Sequence, residues 1–367
     1  MGAGRIRILV LIKGLGIGGA EKLISSGAAF WDRDQFEYHV AYVLPWKDQL
    51  VPELEEADVR VHLLGEPRGL SLRLVPKLRR LIRRLDIHLV HAHLPTMGIV
   101  ARIASPVPVV YTEHNVAKSY RRITRIVSRL TYRRNTAVIA VSEAVARSVA
   151  SWSGPSPRVI PNGVTCHVSP EATQSARREL RLSPGARLVV HVGNIRPGKG
   201  HDVLIDATAL LVERHPEVIV VSIGGEKFPG DLERVRARAD QAGLGDRIRF
   251  LGRRSDALDF VSAADIFVNP SDVEGLPVAV LEAMALARPV VATAVGGVPT
   301  IVREGETGVL VEPGEPRILA DGIERMLGDS SLARRLAEAA QAMVDKEYGL
   351  EPMVRATEDV YREVLDG

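Results

Sequence analysis

The sequence predicts an α/β protein built from two doubly wound parallel sheets that follow one another along the chain. Two observations support this prediction. The 367 residues exceed what one ordinary hydrophobic core holds and suit two domains of roughly 150 to 200 residues each. Short, β-rich apolar segments also alternate with helical patterns throughout, which is typical of parallel sheets covered by helices.

Each half of the chain contains a series of six predicted strands with helical segments between them. The first series comprises 7–12, 38–43, 60–64, 89–92, 107–112 and 137–141. The second series comprises 187–192, 218–223, 247–251, 266–269, 289–293 and 308–311. The architecture therefore repeats although the sequence does not, and each half is expected to form a Rossmann-like domain.

Turn-forming residues separate the two series. Residues 160–164 read Ile-Pro-Asn-Gly-Val, and a polar stretch with a short helix follows. We expect an N-terminal domain at 1–168, a C-terminal domain at 169–349, and an amphipathic last segment at about 350–367 whose position suggests packing on the first domain. Because open parallel sheets bind ligands at the carboxyl ends of their strands, the two domains are expected to face a central cleft.

The composition favours a soluble protein and excludes several classes. Hydrophobic residues make up 46% and charged residues 25%, and no apolar run approaches the ~20 residues of a membrane span. The first apolar run is too short for the core of a signal peptide, so we expect a cytoplasmic location. A single cysteine, Cys166, excludes an internal disulfide and a cysteine-based metal cluster.

Charge is distributed unevenly along the chain. Residues 1–168 have a net charge of +11 and the remainder −8, and the basic residues concentrate in 73–84 and 118–134, both predicted to be helices with a cationic face. Such a face is either simply solvated or docks on an anionic partner, such as a phosphorylated acceptor or the inner face of a membrane. Nucleic acid is not expected, because few aromatic residues interleave with the basic ones.

A glycine-rich segment follows the first predicted strand. Gly14, Gly16 and Gly19 let a phosphate or a sugar approach the backbone, and the following helix N-terminus attracts anions. The spacing also fits a dinucleotide site, so an NAD-dependent oxidoreductase or sugar epimerase is the alternative function. That site requires a carboxylate at the end of the second strand, where this chain has Tyr42-Val-Leu-Pro. A tight turn without a ligand is the third interpretation.

Three histidines, His91, His93 and His114, lie at predicted strand ends. They suit a metal site, a neutral imidazole that hydrogen-bonds to a phosphate or hydroxyl, or a structural role. Because no other ligand cluster accompanies them, we predict no metal. Asp32 and Asp34 have the spacing of a metal-binding pair, but their position between a predicted helix and a strand favours a turn.

Two segments of the second half suit a phosphorylated ligand. Residues 193–200 follow a predicted strand and open a helix, and they contribute Arg196 and Lys199, as a diphosphate group requires. Further on, Glu274 lies in the loop after a strand and Glu282 in the next helix. Carboxylates at this spacing suit the hydroxyl groups of a sugar and of a ribose.

Together these segments resemble glycosyltransferase family 4, a group of retaining enzymes with the GT-B fold. The most specific part runs from Glu274 to Glu282, reads Glu-Gly-Leu-Pro-Val-Ala-Val-Leu-Glu, and continues to Pro299. The resemblance covers nearly the whole chain and rests on 18–21, His93, 112–114, 141–143, 160–163, 193–200 and 274–299.

The resemblance implies a metal-independent hexosyltransferase without a cofactor. Its donor would be a nucleotide diphosphate sugar, most often UDP-linked in the family, and its acceptor a glycan, a lipid-linked molecule or a small molecule. The resemblance places Glu274 on the transferred sugar, Glu282 on the ribose, and Lys199 and Arg196 on the diphosphate. Many members have the arginine directly after the glycine, where this chain has Asn194, so Arg196 must reach from a shifted position. The remaining donor-binding residues would be Gly275, Leu276 and Pro277.

In the first domain the resemblance implies that Gly18 and Gly19 approach the donor phosphates and that His93 contacts the transferring sugar. Glu21 and His114 are candidates on the acceptor side. The family has no settled nucleophile, and the usual proposal is front-face attack in which the leaving phosphate takes the acceptor proton. The loops that read the acceptor carry no transferable code, so the sequence does not identify it.

Overall fold

The computed structural model describes residues 5–66 and 71–367. These residues form two compact units: one comprises the residues before Val164 together with Leu350–Gly367, and the other comprises Val164–Gly349. The division after residue 163 falls a few residues before the boundary expected from the sequence. Positions 1–4 of the expected domain 1–168 lie outside the described residues.

The first unit contains one parallel sheet of seven strands. The strands are β1 (Ile6–Leu11), β2 (Phe36–Tyr42), β3 (Arg60–Leu63), β4 (Leu89–His93), β5 (Val109–Glu113), β6 (Ala137–Ala140) and β7 (Arg158–Val159). Their order across the sheet is β3-β2-β1-β4-β5-β6-β7, and all neighbours are parallel. The helices between them are α1 (Gly19–Gly27), α2 (Val51–Glu56), α3 (Leu74–Arg84), α4 (Pro95–Ala104), α5 (Arg122–Thr131) and α6 (Glu143–Val149).

The second unit contains a six-stranded parallel sheet. The strands are β8 (Arg187–Val192), β9 (Val218–Ile223), β10 (Ile248–Gly252), β11 (Ile266–Asn269), β12 (Val290–Thr293) and β13 (Val309–Val311), in the order β10-β9-β8-β11-β12-β13. The helices are α7 (Pro170–Glu179), α8 (His201–Arg214), α9 (Asp231–Gln241), α10 (Ala257–Ala263), α11 (Val278–Ala285), α12 (Val298–Ile301), α13 (Pro316–Gly328) and α14 (Ser330–Glu347).

Both sheets reverse their strand order at the same place in the series. The first strand of each sheet has the second strand on one side and the fourth on the other, so β1 lies between β2 and β4, and β8 lies between β9 and β11. Loops and helices diverge from such a switch point and leave room for a ligand at the carboxyl ends of the two strands. The predicted pair of Rossmann-like, doubly wound sheets is confirmed.

Alternation along β1 shows how apolar strands build a core on both faces of the first sheet. Leu9 and Leu11 pack on one side against α3 and α4, whereas Ile8 and Val10 pack on the other side with α1. All four side chains are almost completely buried. Burial of both faces explains why these strands read as continuous apolar runs.

The predicted strands agree with β1–β6 and β8–β13 to within two residues, but β7 was missed because it comprises only two residues at the sheet edge. The predicted helix at 73–84 is α3. The predicted helix at 118–134 is wrong as one element, since 3₁₀ turns at Ala117–Ser119 and Tyr132–Arg134 flank the shorter α5. Within the two described ranges, no helix is both long and apolar enough to span a membrane.

The turn predicted at Asp32 is confirmed. One oxygen of its carboxylate accepts hydrogen bonds from the backbone amides of Asp34 and Gln35, each at 3.2 Å. The side chain therefore closes the connection into β2 by the local bonding that favours aspartate in turns.

The last helix, α15 (Leu350–Asp366), belongs to the first unit. It carries Glu358, a carboxylate that is only 1% exposed. One oxygen of this carboxylate accepts hydrogen bonds from the Tyr38 hydroxyl and from the Asp32 amide, both at 2.8 Å. The helix is therefore held to β2 by a buried polar contact as well as by apolar packing.

We expect Glu358→Ala to lower the free energy of unfolding of the first unit by about 2 to 4 kcal/mol, because the buried Tyr38 hydroxyl and the partly buried Asp32 amide lose their acceptor. All three tryptophans, at 31, 46 and 152, belong to this unit, so intrinsic fluorescence during urea unfolding reports on it. Glu363→Ala is the control on the same helix, since that side chain is 66% exposed, and it should change stability by less than about 0.5 kcal/mol. Equal effects of the two substitutions would contradict the anchoring role.

Candidate functional site

In the second unit, the loop after β8 contacts the loop after β11. Gly198 and Gly200 adopt φ angles of +85° and +68°, which favour glycine. A Cβ atom at Gly200 would lie 1.9 Å from the Pro270 carbonyl oxygen, and the Asp272 amide donates to the Gly198 carbonyl at 3.1 Å. Only glycine at position 200 lets the two loops approach this closely.

Lys199 and Glu274 meet at this contact. The Lys199 ammonium lies 2.7 Å from a carboxylate oxygen of Glu274, and the two side chains are 18% and 8% exposed. The structure thus brings together two residues that the sequence places 75 positions apart. A cation and a carboxylate lie side by side, largely shielded from water, at the switch point of the second sheet.

A second pair of glycines supports the segment that begins at Glu274. A Cβ atom at Gly296, where φ is +56°, would lie 1.9 Å from the Glu274 carbonyl oxygen. The Gly297 amide donates to the Gly275 carbonyl at 2.8 Å. The predicted donor-binding residues Gly275, Leu276 and Pro277 are buried beside this contact, directly before α11.

Arg196 and Glu282 lie on the segments that carry Lys199 and Glu274. Arg196 belongs to the loop after β8, and Glu282 belongs to α11. Arg196 is partly exposed in the loop of Lys199, and its guanidinium donates to the Pro197 carbonyl at 3.2 Å. The Lys199 amide donates to the Arg196 carbonyl at 3.3 Å and closes a turn. Glu282 is half-buried on α11. The diphosphate role of Arg196 and the ribose role of Glu282 stay predictions.

Sequence reasoning missed a pair of buried histidines beside this loop. The rings of His191 and His201 meet edge to face with centroids 5.1 Å apart, and His191 donates to the Val268 carbonyl at 3.1 Å. Burial lowers the pKa of His191 well below its ordinary value and that of His201 to about 4, and the charge of Lys199 adds to both effects. The loop at residues 193–200 therefore lies beside two uncharged imidazoles. The only sequence signal was a histidine inside an apolar strand.

In the first unit, the glycine-rich loop connects β1 to α1. The Leu15 amide donates to the Lys47 carbonyl at 2.6 Å, and the Leu15 carbonyl accepts from the Leu50 amide at 2.8 Å. Gly18 is the N-cap of α1, and a Cβ atom there would lie 2.6 Å from the Glu21 carboxylate. An anion that approaches Gly18 and Gly19 must therefore share this helix end with the carboxylate of Glu21.

Three cations, Lys13, Lys47 and Arg121, lie beside the same loop. Burial lowers the pKa of Lys13, and the positive charges of Lys47 and Arg121 lower it further. The side of the first unit that carries the glycine-rich loop is therefore electropositive around Lys13.

The three histidines predicted at strand ends form one cluster, in which His91 and His93 are buried and His114 is half-buried. His93 Nδ1 lies 3.0 Å from His114 Nε2, and His91 lies between the Tyr361 hydroxyl at 2.6 Å and the Thr112 hydroxyl at 2.7 Å. Burial lowers the pKa of His91 to about 3, of His114 to about 4, and of His93 well below its ordinary value. All three imidazoles are consequently neutral near pH 7. In the part of the chain that the structure describes, no group of three or more His, Cys, Asp or Glu side chains could hold a metal ion.

Backbone strain adjoins this cluster. Leu94, directly after His93, has a φ of +69° and a ψ of 146°, a conformation that side-chain-bearing residues rarely adopt. Such strain costs of order 1–3 kcal/mol and persists mainly at functional positions. A cavity of about 60 Å³ in the first unit is lined by His91, His93 and His114 together with residues of α1 and α15. The switch point between β1 and β4 thus has both a strained backbone and a hollow that is mainly apolar, with the three histidines among its lining residues.

Comparison with known proteins gives two adjoining matches. Residues 17–168 match the model of Glycosyltransferase Family 4, and residues 172–343 match that of Glycosyl transferases group 1. A D-inositol 3-phosphate glycosyltransferase from Acidothermus cellulolyticus is 30% identical over 308 residues, which cover 75% of this chain and 67% of that protein. The corresponding protein from Corynebacterium efficiens is 40% identical over 174 residues, or 46% of this chain. The match spans only 41% of the Corynebacterium protein.

Solved structures resemble the chain over nearly its full length. HepE from Anabaena, in complex with UDP and glucose, has a TM-score of 0.87 at 25% identity and covers 98% of this chain and 100% of its own. Sucrose-phosphate synthase from Thermosynechococcus elongatus has a TM-score of 0.85 at 22% identity, with 99% and 100% covered. WaaG, a glycosyltransferase involved in lipopolysaccharide biosynthesis, has a TM-score of 0.76 at 17% identity, with 98% of each chain covered. These similarities confirm the predicted GT-B fold.

The neutral histidine cluster predicts a pH dependence of stability. Unfolded histidines titrate near pH 6.5, whereas those of the cluster titrate lower, so the unfolded state binds more protons at mildly acidic pH. The free energy of unfolding of the first unit should be constant above about pH 7 and fall as the pH drops from 6.5 towards 4. Each buried histidine contributes up to about 1.4 kcal/mol per pH unit.

Urea unfolding followed by tryptophan fluorescence at several pH values measures this slope. His114→Gln should make the slope shallower, because it removes one of the histidines whose pKa is lowered by burial. A wild-type free energy of unfolding that stays level from pH 7 to pH 5 would show that the cluster accepts protons in the folded state.

Proposed function

Since this chain belongs to glycosyltransferase family 4 and has the GT-B fold, we propose that it is a metal-independent, retaining glycosyltransferase. It moves a hexose-type sugar from a nucleotide diphosphate sugar to a glycan, lipid-linked or small-molecule acceptor. The observation that carries the proposal is the 2.7 Å contact between Lys199 and Glu274 at the switch point of the second sheet.

The chemistry of the donor explains why this contact is informative. In a nucleotide diphosphate sugar the hexose is bonded directly to the second phosphate, so its site needs a cation and a hydroxyl-accepting group next to each other. Lys199 and Glu274 provide this pair. The ammonium binds the diphosphate, and the carboxylate accepts hydrogen bonds from hexose hydroxyls.

Further groups on the same loops complete the donor site. Residues 193–200 lead into α8, a helix of 14 residues whose first amides point towards the loop and favour an anion. Arg196 adds a second cation on this loop, and Glu282 on α11 binds the ribose. Because negative charge accumulates on the diphosphate as it leaves, these groups stabilise the transition state more than the bound donor.

We further propose roles for His93 and for the glycine-rich loop of the first unit. His93 is neutral, so it hydrogen-bonds to a hydroxyl of the transferring sugar without placing a positive charge beside the reacting carbon. Gly18 and Gly19 approach the donor phosphates, and Glu21 and His114 face the acceptor.

Retention follows from attack on the face that the diphosphate leaves. The acceptor oxygen bonds to the anomeric carbon while the bond from that carbon to the phosphate oxygen breaks, and the hydroxyl proton passes to the leaving phosphate. This scheme needs no second carboxylate as nucleophile, unlike double displacement. Catalysis then consists of positioning and charge stabilisation by Lys199, Arg196 and Glu274.

The nucleotide of the donor is proposed to be UDP. HepE from Anabaena has been solved with UDP and with UDP-glucose, and it has the same fold at 25% identity. The alternative, an NAD-dependent oxidoreductase or epimerase, is disfavoured by the family membership. It is also disfavoured by β2, which ends at Tyr42 and continues as Val-Leu-Pro without a carboxylate for the ribose.

We expect Lys199→Met and Glu274→Gln each to lower kcat for release of nucleoside diphosphate by the order of a hundredfold or more. Slow donor hydrolysis measures this without knowledge of the acceptor, and a panel of UDP-, GDP- and ADP-hexoses identifies the donor in the same experiment. Lys346→Met is the matched control, since Lys346 is exposed on α14, and it should keep full activity. Near-normal turnover of either site variant would refute the assignment.

A double variant separates catalysis from folding. Lys199→Met alone leaves the largely buried Glu274 carboxylate without its cation and should lower thermal stability, whereas Lys199→Met/Glu274→Gln removes both charges and should recover most of that loss. The double variant should nevertheless stay inactive. Recovery of activity together with stability would show that the pair only supports the fold.

Donor hydrolysis and transfer should both continue at full rate in excess chelator. The leaving diphosphate is stabilised by protein cations and amides in this proposal, so no divalent ion is needed. Activity that disappears with chelator and returns with Mg²⁺ or Mn²⁺ would contradict metal independence.

A further inference from the structure

Helix α5 exposes a row of large aliphatic side chains. Ile123, Ile126 and Leu130 are 77%, 49% and 72% exposed, and their spacing of three and four residues places them on one side of the helix. A group of exposed aliphatic residues at adjacent turns is unusual on a water-facing surface and marks a site of interaction.

Arginines occupy the adjoining side of the same helix. Arg122, Arg125 and Arg129 are all exposed. Together with Ile123, Ile126 and Leu130 they form what we call the α5 surface. One helix thus presents apolar and cationic side chains next to each other, outside the hydrophobic core.

The chain around the α5 surface is almost free of negative charge. Residues 67–142 contain 15 Lys and Arg but only two acidic residues, Asp86 and Glu113, and Glu113 is completely buried. Helix α4 packs between α3 and α5 and carries no acidic residue. Exposed arginines of α3 extend the cationic region, namely Arg79, Arg80, Arg83 and Arg84.

A buried hydrogen bond to α4 fixes the orientation of α5. Arg102 on α4 is only 4% exposed, and its guanidinium donates to the Ser128 carbonyl at 2.9 Å. Ser128 itself is fully buried on the inner side of α5. Because the inner side is held in this way, the outward aliphatic side chains are a constant feature of the folded unit.

We propose that the α5 surface docks on an anionic lipid bilayer, with the three aliphatic side chains inserted at the acyl boundary and the arginines at the headgroup phosphates. Adjacent apolar and cationic sides are what an interfacial helix requires, since one set enters the lipid and the other binds its charge. A nucleic acid would instead be bound by exposed aromatic residues, and Tyr132 at the end of α5 is only 1% exposed. This inference does not depend on the proposed transferase activity.

Sedimentation of the full chain with vesicles tests the proposal. One set of vesicles contains phosphatidylcholine alone and the other phosphatidylcholine with phosphatidylglycerol. One variant, Ile123→Ser/Ile126→Ser/Leu130→Ser, removes the aliphatic side chains and keeps the arginines. A second variant, Arg122→Gln/Arg125→Gln/Arg129→Gln, does the reverse. The control Arg178→Gln/Arg317→Gln/Arg334→Gln removes the same charge from exposed positions of the second unit.

Wild type should bind the anionic vesicles and bind the neutral ones far more weakly. The aliphatic variant should lose tenfold or more in partition coefficient, and the arginine variant on the order of a hundredfold. The control should bind as wild type. Both variants should keep the wild-type melting temperature and donor hydrolysis in solution, so a failure of the proposed catalytic function would be seen separately.

Two results would overturn the proposal. If the aliphatic variant bound anionic vesicles as tightly as wild type, the surface would attract polyanions without entering lipid. Competition by RNA would then identify a nucleic acid as the partner. Absence of wild-type binding to anionic vesicles at low salt would exclude a lipid partner altogether.

Discussion

The strand order of the two sheets is the constraint on which the rest of the structure depends. Parallel strands are joined by crossovers. In both sheets the second and third strands are added on one side of the first strand, and the fourth and later strands on its other side. Chain segments diverge at that point, so loops from two neighbouring strands can meet without being covered by a helix. The second unit places Lys199 after β8 and Glu274 after β11. The first unit places the glycine-rich loop after β1 and His93 at the end of β4. The same topology thus produces two polar sites of different chemistry.

The second-unit site is maintained at a cost in burial and conformation. Two charged side chains are largely removed from water, which stabilises the protein only if they pair well. Close approach of the loops requires glycine at 200 and 296, where a Cβ atom would overlap a carbonyl oxygen. His191 adjoins the cationic loop and is kept neutral by burial, so it adds no repulsion to Lys199. Buried charges and loops that depend on glycine bring no advantage to the stability of the fold. They suit a site that binds an anion and a polyol together.

The sequence predicted the architecture well because its signals are local. Both faces of each sheet are covered, so the strands appear as continuous apolar runs that are easily located. The two residues of β7 were missed, because two residues carry no periodic pattern. The helix predicted at 118–134 was too long, because Tyr120 and Arg121 adopt extended conformations without a glycine or proline to signal the break. Family resemblance placed Lys199 and Glu274 in one donor site, but their direct contact was not predicted. The support of Glu274 by Gly296 and the position of His191 depend on distant segments, which no local pattern reveals.

The two units differ in charge, and the difference matches their proposed roles. In the proposed function the second unit binds an anionic donor with Arg196 and Lys199 on one loop, although the chain after residue 168 is acidic overall. Cations of the first unit lie mostly outside its histidine cluster, on helices that face solvent.

The most direct test of the central claim is a crystal structure of the full chain with UDP-hexose bound. The account predicts the diphosphate within about 3 Å of the Lys199 ammonium and hexose hydroxyls at the Glu274 carboxylate. A diphosphate bound away from residues 193–200 would contradict it.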